Sequence, residues 1–439
     1  MQKHLATFFT LVSAAACGDD SNDQMAQPDA AVQQPEVDAA VVDTCTPTQL
    51  RTDLTWYGTN RADLTKWLEA GGCDSDGYDE TKKPVVTFDW DNTIGKNDFG
   101  DAITFYMIKN DKVLQPPGQD WKATSPYMTT AAADALTAAC GTTVAALSPL
   151  PTSTDTDCAA EMLSIYIDGK TTATNGSATA FSGHNARYLE PTYAWTAQLL
   201  SGYTHAEIAQ FAHNAIDPQL TADMTATQTI GGRSVNGWLR IYDQSKDLIE
   251  VTKSYGYDVW IITASPQDVI GAFAPMVGVA ADHVIGIRSK TDTSNKLTYK
   301  FEGCGTVADD TADMIPYIQG KRCWLNKVVF GDTTATAMQK RADGKRQYFA
   351  AGDSDTDIEF MRDAQYKLVI NRNKKELMCH AYYNANDSWR VNPMFIGPKP
   401  AYSSGYACSV DACKNEANVG VPCRDDAGNV IPNQVDSVY

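Results

Sequence analysis

Short apolar runs alternate with longer helix-period segments through most of the chain after residue 45. Val85 to Phe88 is a β-branched run with no polar stripe, the pattern of a strand buried on both faces. Tyr257 to Ile262, Tyr348 to Ala351 and Leu368 to Ile370 read the same way. Helix-period segments stand between them. One opens at Asn60, a good N-cap, places Leu64, Trp67 and Leu68 on one face, and stops at Gly71-Gly72. Another runs from Asp243 to Tyr255 with Gly256 as its stop, and a third opens at Gly320-Lys321 with Trp324, Leu325 and Val328. This alternation predicts an α/β fold: a parallel sheet with helices on both faces and ligands at the carboxyl ends of the strands.

The spacing is interrupted once. Asp89 and Thr263 lie 174 positions apart, far more than a crossover needs, so a second domain must be inserted. Its segments are mostly helical: Ala131 to Ala139, Cys158 to Tyr166, Pro191 to Leu200, and Thr204 to Ile216, the last behind a Thr204-His205-Ala206-Glu207 capping box. The expected layout is a core from 46–97 and 241–400, a helical insert over 98–240, and a cysteine-containing tail over 401–439.

The strand ends carry the chemistry. In extended backbone Asp89, Asp91 and Thr93 fall on one side, and two carboxylates that close need a cation or a proton. The Val259–Ile262 strand ends on Thr263-Ala264-Ser265-Pro266, with Ser265-Pro266 read as N-cap and first residue of the next helix. The Tyr348–Ala351 strand ends in Gly352-Asp353-Ser354-Asp355-Thr356-Asp357. An Asp pair, then Thr, then Lys321, then this GDxxxD element, in this order, resembles the haloacid dehalogenase-like (HAD) phosphohydrolases, in which such an insert caps the active site.

The resemblance implies roles. Asp89 would be the nucleophile that takes the phosphoryl group as an aspartyl-phosphate, and Asp91 the acid and then the base. Thr263 and Lys321 would hold phosphoryl oxygens. Mg²⁺ would sit on Asp89, Asp353 and Asp91 (through its carbonyl), with Asp357 orienting its water and Asp355 a less secure second candidate. Amides around Asn92 and at Ala264 would add donors, beside Thr93. Asp91 favours a phosphatase over a dehalogenase, because a halide leaving group needs no proton.

Trp195-Thr196-Ala197-Gln198, Ser201-Gly202-Tyr203-Thr204, Val284-Ile285-Gly286 and Ile370-Asn371-Arg372 are similar to segments of the periplasmic phosphorylcholine phosphatases. Gly100-Asp101 stands where that family has paired glutamates, and motif two is Thr263 rather than Ser. The implied substrate is a small phosphomonoester with a cationic or neutral alcohol, phosphorylcholine first. The rings of Phe99, Tyr106, Tyr193, Trp195 and Tyr203 would hold an ammonium group, helped by Asp98 or Asp101. A class C-like secreted acid phosphatase and an inactive surface-binding lipoprotein are the alternatives.

Composition bears on compartment and partners. Residues 1–17 read as a lipoprotein signal with Cys17 as the lipidated residue, and 18–45 as a disordered acidic linker. The protein is therefore expected outside the cytoplasm, in the periplasm or at the cell surface, touching a membrane only through a lipid at Cys17. Net charge is −18, with −7 in the linker and +1 at Lys3, so −12 remains for residues 45–439. Such a surface argues against nucleic acid as a partner. The ten cysteines after Cys17 show no zinc-like spacing and predict up to five disulfides. Cys45 with Cys73, Cys140 with Cys158 and Cys304 with Cys323 are the plausible local closures.

Overall fold

The computed structural model describes residues 45–439, which form one compact unit. The signal, the lipidation at Cys17 and the linker over 18–44 lie outside the described residues. Cys45 itself belongs to the folded part, bonded to Cys73.

Six parallel strands make the central sheet, numbered here β1 (Val85–Phe88), β2 (Asp258–Pro266), β3 (Val284–Ile287), β4 (Phe349–Gly352), β5 (Tyr366–Asn371) and β6 (Trp389–Pro393). Their spatial order is β6-β5-β4-β1-β2-β3. β1 pairs on both sides, Val86 with Phe349 and Val85 with Asp258, so all four of its residues are buried and an uninterrupted run is what the position demands. β2 is longer than its apolar run. It continues through Ser265 to Pro266, and the next helix starts at Gln267, so Ser265-Pro266 is not the N-cap and first helical residue that the sequence predicts.

Successive strand residues alternate between two hydrophobic cores. Ile261, Phe349, Ala351, Leu368 and Ile370 face the first, and Ile262, Ala350 and Val369 face the second. The first core is completed by α1 (Asn60–Gly71), by the insert, and by α7 (Asp243–Ser254) and α8 (Gln267–Phe273). The second is completed by α9 (Gln319–Val328), α10 (Ile358–Asp363) and α11 (Lys375–Tyr383), together with Tyr406, Cys408 and Ile431 of the tail. The tail is therefore part of the core rather than an appendage. Cys379–Cys408 ties it to α11, and Asn371 at the end of β5 donates to Asp436 Oδ1 (3.0 Å) and to the Val438 carbonyl (2.6 Å).

The insert leaves and rejoins the core through one neck, an antiparallel ladder of Gly95–Lys96 with Arg240–Ile241. Its helices are α2 (Phe99–Lys109), α3 (Thr130–Cys140), α4 (Thr156–Asp168), α5 (Pro191–Leu199) and α6 (His205–Thr221). The predicted capping box is present at Thr204 and Glu207. α2 escapes the sequence reading because almost its whole surface is buried and no polar stripe marks a period. So does a hairpin of Thr227–Ile230 with Arg233–Asn236, turned by Gly231-Gly232, both at positive φ. Arg187 fastens the insert to the core: its guanidinium reaches Glu359 and Glu376, each at 2.8 Å, with all three side chains buried. Five disulfides are present, the three expected local closures with Cys379–Cys408 and Cys413–Cys423.

Candidate active site

Asp89 follows β1, the most sheltered strand, and its amide donates to the Ala351 carbonyl, so the sheet ladder holds the backbone that carries it. Lys321, fully buried at the start of α9, donates to Asp89 Oδ1 (2.6 Å) and Asp357 Oδ1 (2.5 Å). Thr93 Oγ1 lies 3.1 Å from both Asp89 Oδ2 and Asp353 Oδ1. Asp357 accepts from the amides of Asp353 and Ser354 at 3.0 Å, which folds the GDxxxD element back on itself. Burial and the carboxylates of Asp357 and Asp353 push the Asp89 carboxyl well up, opposed by Lys321, whose own pKa is raised by its two acid partners.

Oxygens of Asp89, Asp353 and Asp357 approach within 4.8 Å of one another, the grouping of a cation site. These three carboxylates are in direct contact with two cations, Lys321 and Arg372, which leaves a surplus of negative charge. An all-oxygen, buried and electron-rich set of this kind fits Mg²⁺. The Asp91 side chain is not part of it. Asp91 turns the other way, its Oδ1 accepting from the Phe99 amide and its Oδ2 from Ser265 Oγ, both at 2.7 Å. Burial, then Asp98, raises its pKa well above the usual carboxylate range.

A cavity of about 200 Å³ opens over Asp89 and Asp91. Asp353 and Arg372 line its sheet side, Ala264 and Ser265 another edge, and Asp98, Tyr166, Tyr193 and Thr196 the roof, with Tyr317 beside them. Asp98 also caps α2, accepting from the Asp101 amide at 3.0 Å. Asp101 lines an adjoining groove and accepts from Tyr166 Oη at 2.6 Å. Its pKa is pushed up to about 7 by burial and then by Asp98.

Several expected residues sit elsewhere. Trp195 is fully buried inside the insert, its Nε1 donating to Thr124 Oγ1 (3.0 Å) and its ring edge-on to Phe181, so it is a packing residue and not a wall of the cavity. Phe99 packs on Trp90, and Tyr106 and Tyr203 on Phe211; of the five rings named from sequence, Tyr193 alone lines the cavity. Asn92 adopts a left-handed conformation and its Oδ1 accepts from the Asn97 amide, which shapes the turn into the neck. Thr263 is buried at the end of the apolar run of β2 with its hydroxyl accepting from the Ser265 amide (3.1 Å). Asp355 accepts from the Leu377 amide (2.9 Å) at the start of α11 while lining the cavity rim.

Sequence reasoning missed four contributors: Ser265, Arg372, Tyr166 and Tyr317. Arg372 donates to Asp353 Oδ2 at 2.6 Å. It directly follows β5, so the rule that ligands gather at the carboxyl ends of strands would have found it. Ser265 would have followed from extending β2. The two tyrosines reach the cavity from segments distant in sequence, and no local signal marks them.

No family model matches this chain, and no curated protein does either. Among solved structures, a conserved protein of unknown function from Anaerococcus prevotii is similar at 17% identity and TM-score 0.56, over 79% of this chain and 94% of that one. A protein of unknown function from Bordetella pertussis matches at 13% identity and TM-score 0.40, over 71% of this chain and 98% of that one. A substrate-bound phosphoserine phosphatase matches at 13% identity and TM-score 0.30, over 66% and 86%. The last two are too loose to carry an argument. The first establishes a shared fold: an α/β, Rossmann-like parallel-sheet core with a largely helical insert.

Proposed function

We propose that this protein is an exported phosphomonoesterase of the HAD type. One observation carries the reading: two buried acids two residues apart are held in different environments. Asp89 lies against Lys321 and the Asp353–Asp357 cluster, and Asp91 is turned off that cluster by Ser265 and the Phe99 amide. Burial raises both carboxyls, but Asp89 alone has Lys321, and would have a bound cation, to hold it ionised as a nucleophile; Asp91 has no cation beside it and can keep a proton.

An Asp89 carboxylate oxygen forms the new P–O bond while the ester P–O bond breaks. Asp91 gives its proton to the departing alkoxide. Asp91, now the base, takes a proton from water as that water attacks phosphorus, releasing phosphate and restoring Asp89. Lys321 balances charge beside Asp89, and Arg372 holds Asp353 in place. Asp89, Asp353 and Asp357 are the residues that would hold Mg²⁺, which when bound supplies Lewis-acid polarisation of the phosphoryl group.

The substrate reading is a small phosphomonoester with a cationic alcohol, phosphorylcholine first and phosphoethanolamine second. Tyr166, Tyr193 and Tyr317 beside Asp98 support it, since rings and an acid together attract an ammonium group. Gly100 bears on it too: a Cβ there would meet Ser265 Oγ at 2.9 Å, so the paired glutamates of the resembling family have no direct counterpart at this position. Five disulfides support an oxidising compartment, in keeping with export and with a lipid anchor at Cys17.

Phosphate release from a panel of phosphomonoesters, with Mg²⁺ and with excess EDTA, tests the chemistry. Asp89→Asn is expected to lower kcat by about 10³-fold or more. Wild-type turnover in that variant, or full activity in EDTA, refutes the mechanism. For the substrate, phosphorylcholine should exceed an uncharged alkyl phosphate in kcat/KM, and Tyr193→Ala should shrink that preference severalfold. Equal constants in the wild type leave a general phosphatase.

A further inference from the structure

A groove of about 770 Å³ opens at the opposite, amino end of the sheet, where β5 and β6 begin. Lys367 lies five residues before Arg372 along β5, about 16 Å away at the rise of a strand. Four cations line the groove, Lys340, Arg346, Arg362 and Lys367, against two acids, Asp425 and Asp426. Locally the charge is positive, although residues 45–439 carry −12.

The pairing of these groups is incomplete. Asp426 is shared by Lys340 (2.6 Å) and Arg362 (2.7 Å). Asp425 is occupied by its own turn, accepting from the amides of Ala427 and Asn429. Arg346 donates to the carbonyls of Asp363 and Ala364, and its one carboxylate contact is Asp343, which stands out in solvent. Lys367 is 7% exposed and donates to Ser388 Oγ (3.1 Å) and the Gln365 carbonyl (3.2 Å), with the Trp389 ring 5.4 Å away and no carboxylate in hydrogen-bond reach. A protonated Lys367 desolvated on the wall of an open groove, with Arg346 beside it, is costly unless an anion completes it or the proton is lost. Burial, then Arg346 and Lys340, lowers the Lys367 pKa to about 7.

We propose that this groove is a second anion site, taking a phosphoryl dianion at Lys367 and Arg346, separate from the site at the carboxyl end. Charge and donor count favour a dianion over a monoanionic carboxylate, and the width leaves room for a small group attached to the phosphoryl. The source is either free phosphate, which is the product of the proposed reaction, or a small phosphorylated metabolite. The proposal does not depend on the reading of Asp89.

Isothermal titration of the full chain with inorganic phosphate, and of an Asp89→Asn background with glycerol phosphate, tests it. One binding event is expected to weaken at least tenfold in Lys367→Met and in Arg346→Gln, while turnover of the parent enzyme without added phosphate changes less than twofold. Loss of binding for both titrants assigns the site to the phosphoryl group itself, and loss for glycerol phosphate alone to a phosphorylated metabolite; either supports the proposal. Isotherms unchanged by both substitutions overturn it, however many ions the wild type holds.

Discussion

Ser265 shows how much of the proposed chemistry would hang on one hydroxyl. It supplies one of the two hydrogen bonds that fix Asp91, and it does so because β2 stays extended past Thr263. Ser265→Ala should therefore lower kcat up to about tenfold, the worth of one hydrogen bond to a neutral group, with little change in KM. An altered KM with unchanged kcat would place Ser265 in binding instead. The grouping of the four acids and Lys321 was legible because the proposed chemistry needs those residue types after strands or at a helix start, whereas Trp195 misled because aromatic content says nothing about which way a ring faces. Lys367 offers a separate test, by stability. Its folded pKa lies near 7, below the ordinary lysine value of 10.5, so between those two pH values the unfolded chain holds a proton that the fold has released. Stability attributable to Lys367 thus rises with pH across this window. Lys367→Met should raise Tm more at pH 6 than at pH 10, measured by calorimetry in phosphate-free buffer; an equal gain at both pH values would place Lys367 among ordinary solvated lysines.

At the scale of elements, the strands were read well and the insert less so. A strand buried on both faces advertises itself as an apolar run, as Val85 to Phe88 does. α2 is nearly as buried but has no contrasting face, and the Thr227–Asn236 hairpin is polar enough to read as loop, so both were hidden. The site is shaped by these hidden pieces, because α2 brings Asp98 and the Phe99 amide to Asp91. Arg187 joins the insert to α10 and α11 through Glu359 and Glu376. Arg187→Met leaves Glu376 buried without its cation, whereas Glu359 keeps Arg322 at 2.6 Å, and should destabilise the protein by roughly 3–5 kcal/mol. Arg187→Met with Glu376→Gln should recover much of that loss. Denaturant titration of the two variants checks this, and equal stability of Arg187→Met and wild type would show that the pairs are not coupled to folding.

Over the whole molecule, the last forty residues matter more than their composition suggests. Nothing in the polar run from Tyr402 onward announces a core role, since its contribution comes from scattered residues (Tyr406, Cys408, Ile431) that share one core beside Cys379–Cys408 and Cys413–Cys423. Asp436 and the Val438 carbonyl hold Asn371, the residue before Arg372. Truncation after residue 400 uncovers the apolar faces of α11 and the second core, and it frees Asn371. The truncated chain should lose cooperative thermal unfolding, or express as aggregate, even with all remaining disulfides formed. A truncated chain with wild-type Tm would show that the tail adds nothing to the stability of the core.

The neck has a consequence of its own. Gly95 and Lys96 are hydrogen-bonded neighbours of Ile241 and Arg240, so the long excursion between them starts and ends at one place. To the sheet, the insert is a closed loop whatever its length. Closure entropy grows only with the logarithm of loop length, about 0.6 kcal/mol for each doubling. Segments inside the insert can therefore lengthen, shorten or be exchanged with little effect on the strands that carry Asp89, Asp91 and Asp353. The roof over the acids is free to vary in a way the floor is not, and under the proposed reaction selectivity among alcohols would drift while the chemistry at the acids stays fixed.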